Sequence, residues 1–520
     1  MPLARVTFIS RPPHRPEDAR LNDMSQTHRP APQGAGSSKS ERVVIIGGGP
    51  AGLTAAYELG RRSKQHVPLV LEGGAHVGGI SRTEEHNGYR FDIGGHRFFT
   101  KVGEVEAMWH EVLGDDFITR PRQSRIFYRG RFYDYPLRIF NALGNIGPYE
   151  AMRIMLSYAK WQVRPSKTED SFEEWVINRF GGRLYGHFFR SYTKKVWGID
   201  PKDIRADWAA QRIKNLSLPK AVWNALTGAN DTASLIEEFQ YPRLGPGMMW
   251  EKTARIVEER GGEVRMRAPV TRVMRDGMRV TGVEVSPWEG EPYKVEGDAF
   301  VNSMALRDLV HAFDPLPPDE VVAAANQLRY RDFLIVTLVL NKADPFPDNW
   351  IYIHAPEVKV GRIQNFRAWS PEMLPDADTA SIGMEYFCQE GDGLWAATDA
   401  DLRDLAAREL ETIGLARRDE VVGGFVIRQP KAYPVYDAHY ADALRTIAGW
   451  LRKLENFETA GRNGLHRYNN QDHSMLSAML AARNLLGESH DVWSVNVERS
   501  YHEEFEKTSG GRTAERIAAE

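Results

Sequence analysis

"ERVVIIGGGPAGLTAAYELGRR", residues 41–62, decides the fold. Val43 to Ile46 make a short β-branched run that reads as a buried strand, and Ala51 to Leu59 open a helix. Between them Gly47, Gly49 and Gly52 stand in G-x-G-x-x-G spacing, with Pro50 and Ala51 at the start of the helix. The first two glycines permit a tight turn and close approach of main chain to a pyrophosphate. The third lets helix and strand pack, and the helix N-terminus faces the negative charge. A second strand, "VPLVLE", ends in Glu72, twenty residues past Gly52, where a carboxylate can accept hydrogen bonds from an adenosine ribose.

NAD and FAD sites share that fingerprint, and the next thirty residues choose between them. "HVGGISR" (76–82) brings Gly79 and Ser81, and "FDIGGHRFF" (91–99) brings Gly94 and Gly95, two further glycine pairs suited to an extended dinucleotide and then to an isoalloxazine ring. Far downstream, "GRNGLHRYNNQDHSMLSAMLAARNLLG" (461–487) sets a polar turn with Arg462, Asn470, Gln471 and Ser474 before an apolar helix. The positive end of that helix would favour an anionic reduced flavin. FAD is therefore the expected cofactor. "VRMRAPVTR" (264–272) reads as the strand that covers the adenine, with Val270 near it, although a plain surface strand fits the pattern equally.

The remaining sequence bounds the protein class. With 520 residues, more than one core is expected. A net charge of −3, from 67 basic and 70 acidic residues, gives no reason to expect nucleic acid or an anionic membrane as a global partner, so any basic site must be local. Cys388 is the single cysteine, which excludes an intramolecular disulfide and suits a reducing compartment, so the cytoplasm is the expected location. No run approaches the roughly 20 apolar residues of a membrane-spanning helix. Residues 1–40 are a Pro/Gly/Ser-rich tail expected to be disordered, with Met24 inside it as an alternative first residue. The histidines, Cys388 and the carboxylates show no metal-ligand spacing, so no metal site is expected.

Element order predicts an α/β protein with a Rossmann-like FAD-binding domain assembled from residues 42–104, 236–315 and 456–495. A helical substrate domain is expected over 105–235, a mainly antiparallel sheet over 316–455, and a polar tail over 496–520. One stretch resists this scheme. "SYTKKVWGIDPKDIRADWAAQR" (191–212) lays Trp197, Arg205, Trp208 and Arg212 close together; on a helix Arg205, Trp208 and Arg212 share one stripe, as if for an aromatic, anionic ligand. Trp197 suits a core position equally well.

In several motifs in order the chain resembles the UDP-galactopyranose mutases, flavoenzymes that interconvert six- and five-membered ring forms of a nucleotide-bound galactose without net redox change. These motifs are "DIGGHRFF", "YTKKVWG", "YPRLGPGMMWE", "WIYIHAPEVKVGR", "YPVYD" and "GRNGLHRYNNQDHS", nearest to the eukaryotic branch. The resemblance implies that Arg212 and Arg362 clamp a diphosphate, with Tyr352, Tyr433 and Tyr468 around it. Tyr135, Arg138, Tyr192 and Trp197 would complete the substrate wall. It also places His96 beside the flavin N5, able to exchange hydrogen-bond roles because an imidazole titrates near neutral pH. The implied cofactor is noncovalent FAD, active when reduced, with NADH or NADPH as reductant. The implied reaction runs through an N5 adduct with the sugar of a nucleoside-diphosphate sugar, UDP-galactose first. Two departures stand out: Arg138 replaces the glutamine that reads the base in eukaryotic members, and the turn before the last helix is two residues shorter. Two other classes remain open on the residues alone: an oxidoreductase of the amine oxidase, protoporphyrinogen oxidase or phytoene desaturase type, and a flavoprotein that binds sugar nucleotides without turnover.

Overall fold

The strand Glu41–Ile46 runs at the centre of a five-stranded parallel sheet, flanked by His66–Leu71 and Glu263–Arg265 on one side and by Ala299–Asn302 and Phe457–Thr459 on the other. These facts come from a computed structural model that describes residues 40–135, 139–206 and 238–496. Arg138, Trp208 and Arg212 lie outside the described residues.

Val43 and Ile45 face one side of this sheet and Val44 and Ile46 the other, and both sides are covered. That is why the strand reads as a continuous apolar run rather than an alternating one. The helix Pro50–Arg62 packs on one face with Gly247–Glu259 and Gln471–Leu485. The helices Leu306–Ala312, Asp319–Gln327 and Tyr440–Leu451 pack on the other face.

A second, seven-stranded sheet stands beside this unit, in the order Val421–Pro434, Tyr330–Leu340, Ala380–Cys388, Arg362–Asn365, Trp350–Ile353, Ser124–Tyr128 and Arg131–Asp134. Its pairings are antiparallel except where Trp350–Ile353 meets Ser124–Tyr128. The hairpin 124–134 is extended chain inside the segment 105–235 expected to be a helical domain. Ser124, Ile126, Phe127 and Tyr128 are buried, so this stretch gains more by extending a sheet edge than by standing as a helix.

Lys195 explains part of "YTKKVWG". Its ammonium donates to the carbonyls of Ile353 (3.1 Å), Ala355 (2.8 Å) and Val360 (2.9 Å), tying the helix Arg190–Trp197 to the turn beyond the strand Trp350–Ile353. Three donors meeting three carbonyls satisfy the buried amine completely. Burial still draws its proton affinity down to about 8.

Candidate functional site

A cavity of about 450 Å³ opens between the parallel sheet's glycine turn and the seven-stranded sheet. Its first wall includes Gly49, Pro50 and Ala51; in the turn behind them the backbone of Gly47 has φ +99°, and a Cβ there would lie 2.4 Å from the Ser303 hydroxyl. A Cβ on Gly52 would fall 1.8 Å from the Gly47 carbonyl oxygen, a separation that only glycine avoids. Gly49 and Gly79 face one another, the Cβ position of Gly49 being 3.7 Å from the Cα of Gly79. The result is bare main chain along the cavity at the N-terminus of the helix Pro50–Arg62. Glu72 closes this end, its carboxylate accepting from the amides of Gly48 (2.7 Å) and Gly74 (2.6 Å). Those two bonds leave lone pairs for further donors such as ribose hydroxyls. Bare main chain, a helix N-terminus and a fixed carboxylate fit a dinucleotide such as FAD.

The second wall is the loop "FDIGGHRFF". Asp92 is its anchor, accepting from the Thr83 hydroxyl at 3.0 Å and from the Tyr241 hydroxyl, while burial lifts its carboxyl to about 7. Past Gly94 (φ +93°) the His96 ring donates from Nδ1 to the Gly94 carbonyl at 3.0 Å, with Nε2 left as an acceptor. Burial, together with the Arg462 and Arg362 guanidiniums, holds the His96 imidazole down at about 3. The expectation of a near-neutral His96 is therefore corrected: the ring is neutral across the physiological range, and any exchange of hydrogen-bond roles goes through its tautomers.

The third wall is a row across three adjacent strands. Register places Tyr352 opposite Arg362 and Arg362 opposite Glu385. Arg362 Nη2 lies 2.6 Å from Glu385 Oε2 and donates to the Tyr433 hydroxyl at 2.7 Å. Gln364 donates to the other oxygen of Glu385 at 2.5 Å. Arg362 Nε is buried in the cavity wall and has no hydrogen-bond partner among the described residues. The neighbouring carboxylate and tyrosines hold its proton well above the ordinary range against the pull of burial. A planar guanidinium fixed along one edge is pre-organised for a phosphate at another.

The aromatic residues divide into two groups. Tyr433 and Tyr468 stack at 5.5 Å under the guanidinium of Arg462, 5.2 and 4.6 Å from their ring centres. Burial pushes the Tyr433 hydroxyl up to about 12. Trp197 packs on this pair at 6.3 and 5.9 Å but is buried among core side chains and does not line the cavity. Tyr135 meets Tyr352 at 4.7 Å, and Tyr192 meets it edge-on at 6.1 Å. Tyr135 and Tyr192 touch the ring of Tyr352 and are not among the residues that line the cavity. Pro50, Ala51, Ser81, Gly94, Gly95, Asn470, Gln471 and Ser474 line it. Val270 does not: it opens the strand Val270–Asp276 and packs against the core on the face of the parallel sheet that carries Val44 and Ile46.

Glu385, Gln364, Arg97 and Trp350 also line the cavity and were not singled out in the sequence. Glu385 did carry a signal, as the one carboxylate inside the otherwise uncharged strand "ASIGMEYFC".

Behind Tyr192, His354 stacks on its ring at 4.3 Å and is held at about 3 by burial and by the Lys195 charge. The folded protein therefore binds one proton fewer than the unfolded chain between the ordinary histidine value near 6.5 and about 3. Stability should fall as pH drops through that window. The His354→Asn variant should lose about 1 to 2 kcal/mol less than the parent between pH 7 and 5 in urea titrations. Equal losses in the two proteins would show that His354 titrates freely.

A family model for flavin-containing amine oxidoreductases matches residues 50–421. The dTDP-fucopyranose mutase of Escherichia coli is 27% identical over 177 residues, 32% of this chain and 44% of that protein, so the match spans less than half the mutase. A Mycobacterium tuberculosis protein named as a flavin-containing monoamine oxidase, AofH, is 28% identical over 291 residues, 53% of this chain and 60% of that protein. A crystal structure of reduced UDP-galactopyranose mutase superposes with a TM-score of 0.76 at 20% identity, over 88% of this chain and 98% of that one. Putrescine oxidase bound to putrescine superposes with a TM-score of 0.56 at 15% identity, over 86% of this chain and 99% of that one.

Proposed function

The chain belongs to the flavin-containing amine oxidoreductase family, and from that premise we propose that it is a flavin-dependent sugar-nucleotide mutase interconverting pyranose and furanose forms. The observation that carries this reading is the row Tyr352–Arg362–Glu385, with Tyr433 above it, facing the same cavity as the glycine cradle. A simple amine or an apolar substrate needs no pre-organised guanidinium beside the flavin, whereas a diphosphate does. The motif likeness to the eukaryotic mutases and the partial match to a fucopyranose mutase support the same reading.

In this proposal Gly47–Gly52, Glu72 and Gly79 would hold FAD, whose reduced ring, when bound, would supply a nucleophile for the anomeric carbon. Arg362 receives the diphosphate as its charge grows, held in place by Glu385 and Tyr433. Keeping the leaving group bound makes its return effectively intramolecular. Neutral His96 offers Nε2 as an acceptor for a flavin N–H without adding positive charge. Arg212 is the second guanidinium by sequence and lies outside the described residues, as does Arg138, the proposed reader of the base. NADH or NADPH is the proposed reductant and UDP-galactose the first substrate to try. The furanose product would feed polysaccharide assembly in the cytoplasm.

With dithionite-reduced enzyme and a panel of UDP-, TDP- and GDP-sugars, one sugar nucleotide should give an isomer of identical mass while the flavin absorbance stays bleached. The monoamine-oxidase relative favours a second reading, true oxidation. That reading requires steady consumption of an electron acceptor and a product lighter by two hydrogens. Either result in place of isomerisation would sink the mutase.

A further inference from the structure

The helix Pro148–Val163 is apolar on two opposite sides, and only one of them is covered. Ile154, Tyr158 and Trp161, at i, i+4 and i+7, form the inner side, and a Cβ on Gly181 would lie 2.9 Å from the Tyr158 main chain. Ile154 is the only buried residue of the sixteen. The outer side carries Tyr149, Met152, Leu156, Ala159 and Val163, at i, i+3, i+7, i+10 and i+14, all facing solvent. Tyr149 is 68% exposed, Met152 55%, Leu156 64% and Val163 79%. Such a continuous stripe is unusual on a free surface and marks a docking face.

Charge selects the occupant. Arg153, Lys160 and Arg164, at i, i+7 and i+11, run along one flank of the stripe and are exposed. The only acid on the helix, Glu150, is occupied by Arg183, by His187 at 2.7 Å and by Arg153 at 3.6 Å. Arg183 and Arg153 also line a shallow groove beside Leu156. A second copy of the chain pairing antiparallel through this stripe would bring basic rows into apposition. An anionic lipid surface instead takes the apolar side chains into its acyl boundary and meets the basic row with its phosphates. Among the described residues no helix is long and apolar enough to cross a membrane.

We propose that the helix Pro148–Val163 docks the protein onto an anionic lipid bilayer, Met152, Leu156 and Val163 entering the acyl boundary and Lys160 and Arg164 contacting phosphates. The test uses the purified full chain with its flavin and vesicles of phosphatidylcholine alone or mixed with phosphatidylglycerol. Binding should be seen with the mixed vesicles, weaken as salt rises, and be far weaker on pure phosphatidylcholine. Met152→Glu/Leu156→Glu and, separately, Lys160→Glu/Arg164→Glu should each weaken binding by on the order of tenfold or more. Flavin content and melting temperature should not change, because all four side chains are exposed. Absence of binding to the mixed vesicles at low salt, or full binding by the Met152→Glu/Leu156→Glu variant, would overturn the proposal. So would a dimer, detected by light scattering, that the same substitutions dissociate without any effect on vesicles, since the stripe would then belong to a second copy.

Discussion

Alanine at Gly52 is expected to give protein with essentially no bound flavin and a markedly lowered melting temperature. The added Cβ would fall 1.8 Å from the Gly47 carbonyl oxygen, inside the turn that joins the central strand to the first helix. Gly47 cannot yield: its N–H donates to the Leu71 carbonyl at 2.9 Å, and its own Cβ position is filled by Ser303. Forced displacement of main chain in a packed core belongs to the class of substitutions costing more than about 4 kcal/mol. Gly49→Ala is the contrast. Its Cβ meets only Gly79, at 3.7 Å, an ordinary contact. That variant should fold as the parent does and lose flavin only because a side chain now occupies the pyrophosphate's approach. The flavin-to-protein absorbance ratio and thermal melts of both variants decide the matter. Normal flavin content in Gly52→Ala would refute the cradle.

Arg362→Ala is expected to lower kcat/KM on the preferred sugar nucleotide by roughly one to two powers of ten, since a hydrogen bond to a charged group contributes about 1.5–3 kcal/mol. Lysine should rescue only part of this, because a point charge cannot reproduce the planar fork. The alanine variant also leaves the Glu385 carboxylate buried without its partner, and breaking a buried pair costs about 3–5 kcal/mol of stability. Adding Glu385→Gln should restore much of the stability and none of the turnover, which separates the two effects. Flavin loading should be nearly unchanged in the Arg362 variants. Full activity in stable, flavin-loaded Arg362→Ala would remove the diphosphate clamp from the proposal.

The opening fingerprint was legible in the sequence because it depends on interactions within some thirty residues, and with it the α/β class of the fold. A β-branched run, three spaced glycines and an acid after the next strand dictate a dinucleotide turn with little help from the rest of the chain. Gly49 and Glu72 could be named in the same way, whereas Arg362 could be named only through the resemblance to the mutases. How Arg362 is held could not be read there. Its partner Glu385 sits on a neighbouring strand, and only the register of Arg362–Asn365 against Ala380–Cys388 puts the two side by side. The proton affinity of His96 was likewise unreadable, because it follows from burial and from two guanidiniums contributed by residues 362 and 462. The hairpin 124–134 was read inside a helical segment because its strands are short, and a short strand is set by the edge it joins rather than by its own pattern. The outer stripe of Pro148–Val163 has ordinary helical periodicity. Whether such a stripe is core or surface depends on what packs against it, and the sequence of a helix does not contain its neighbours.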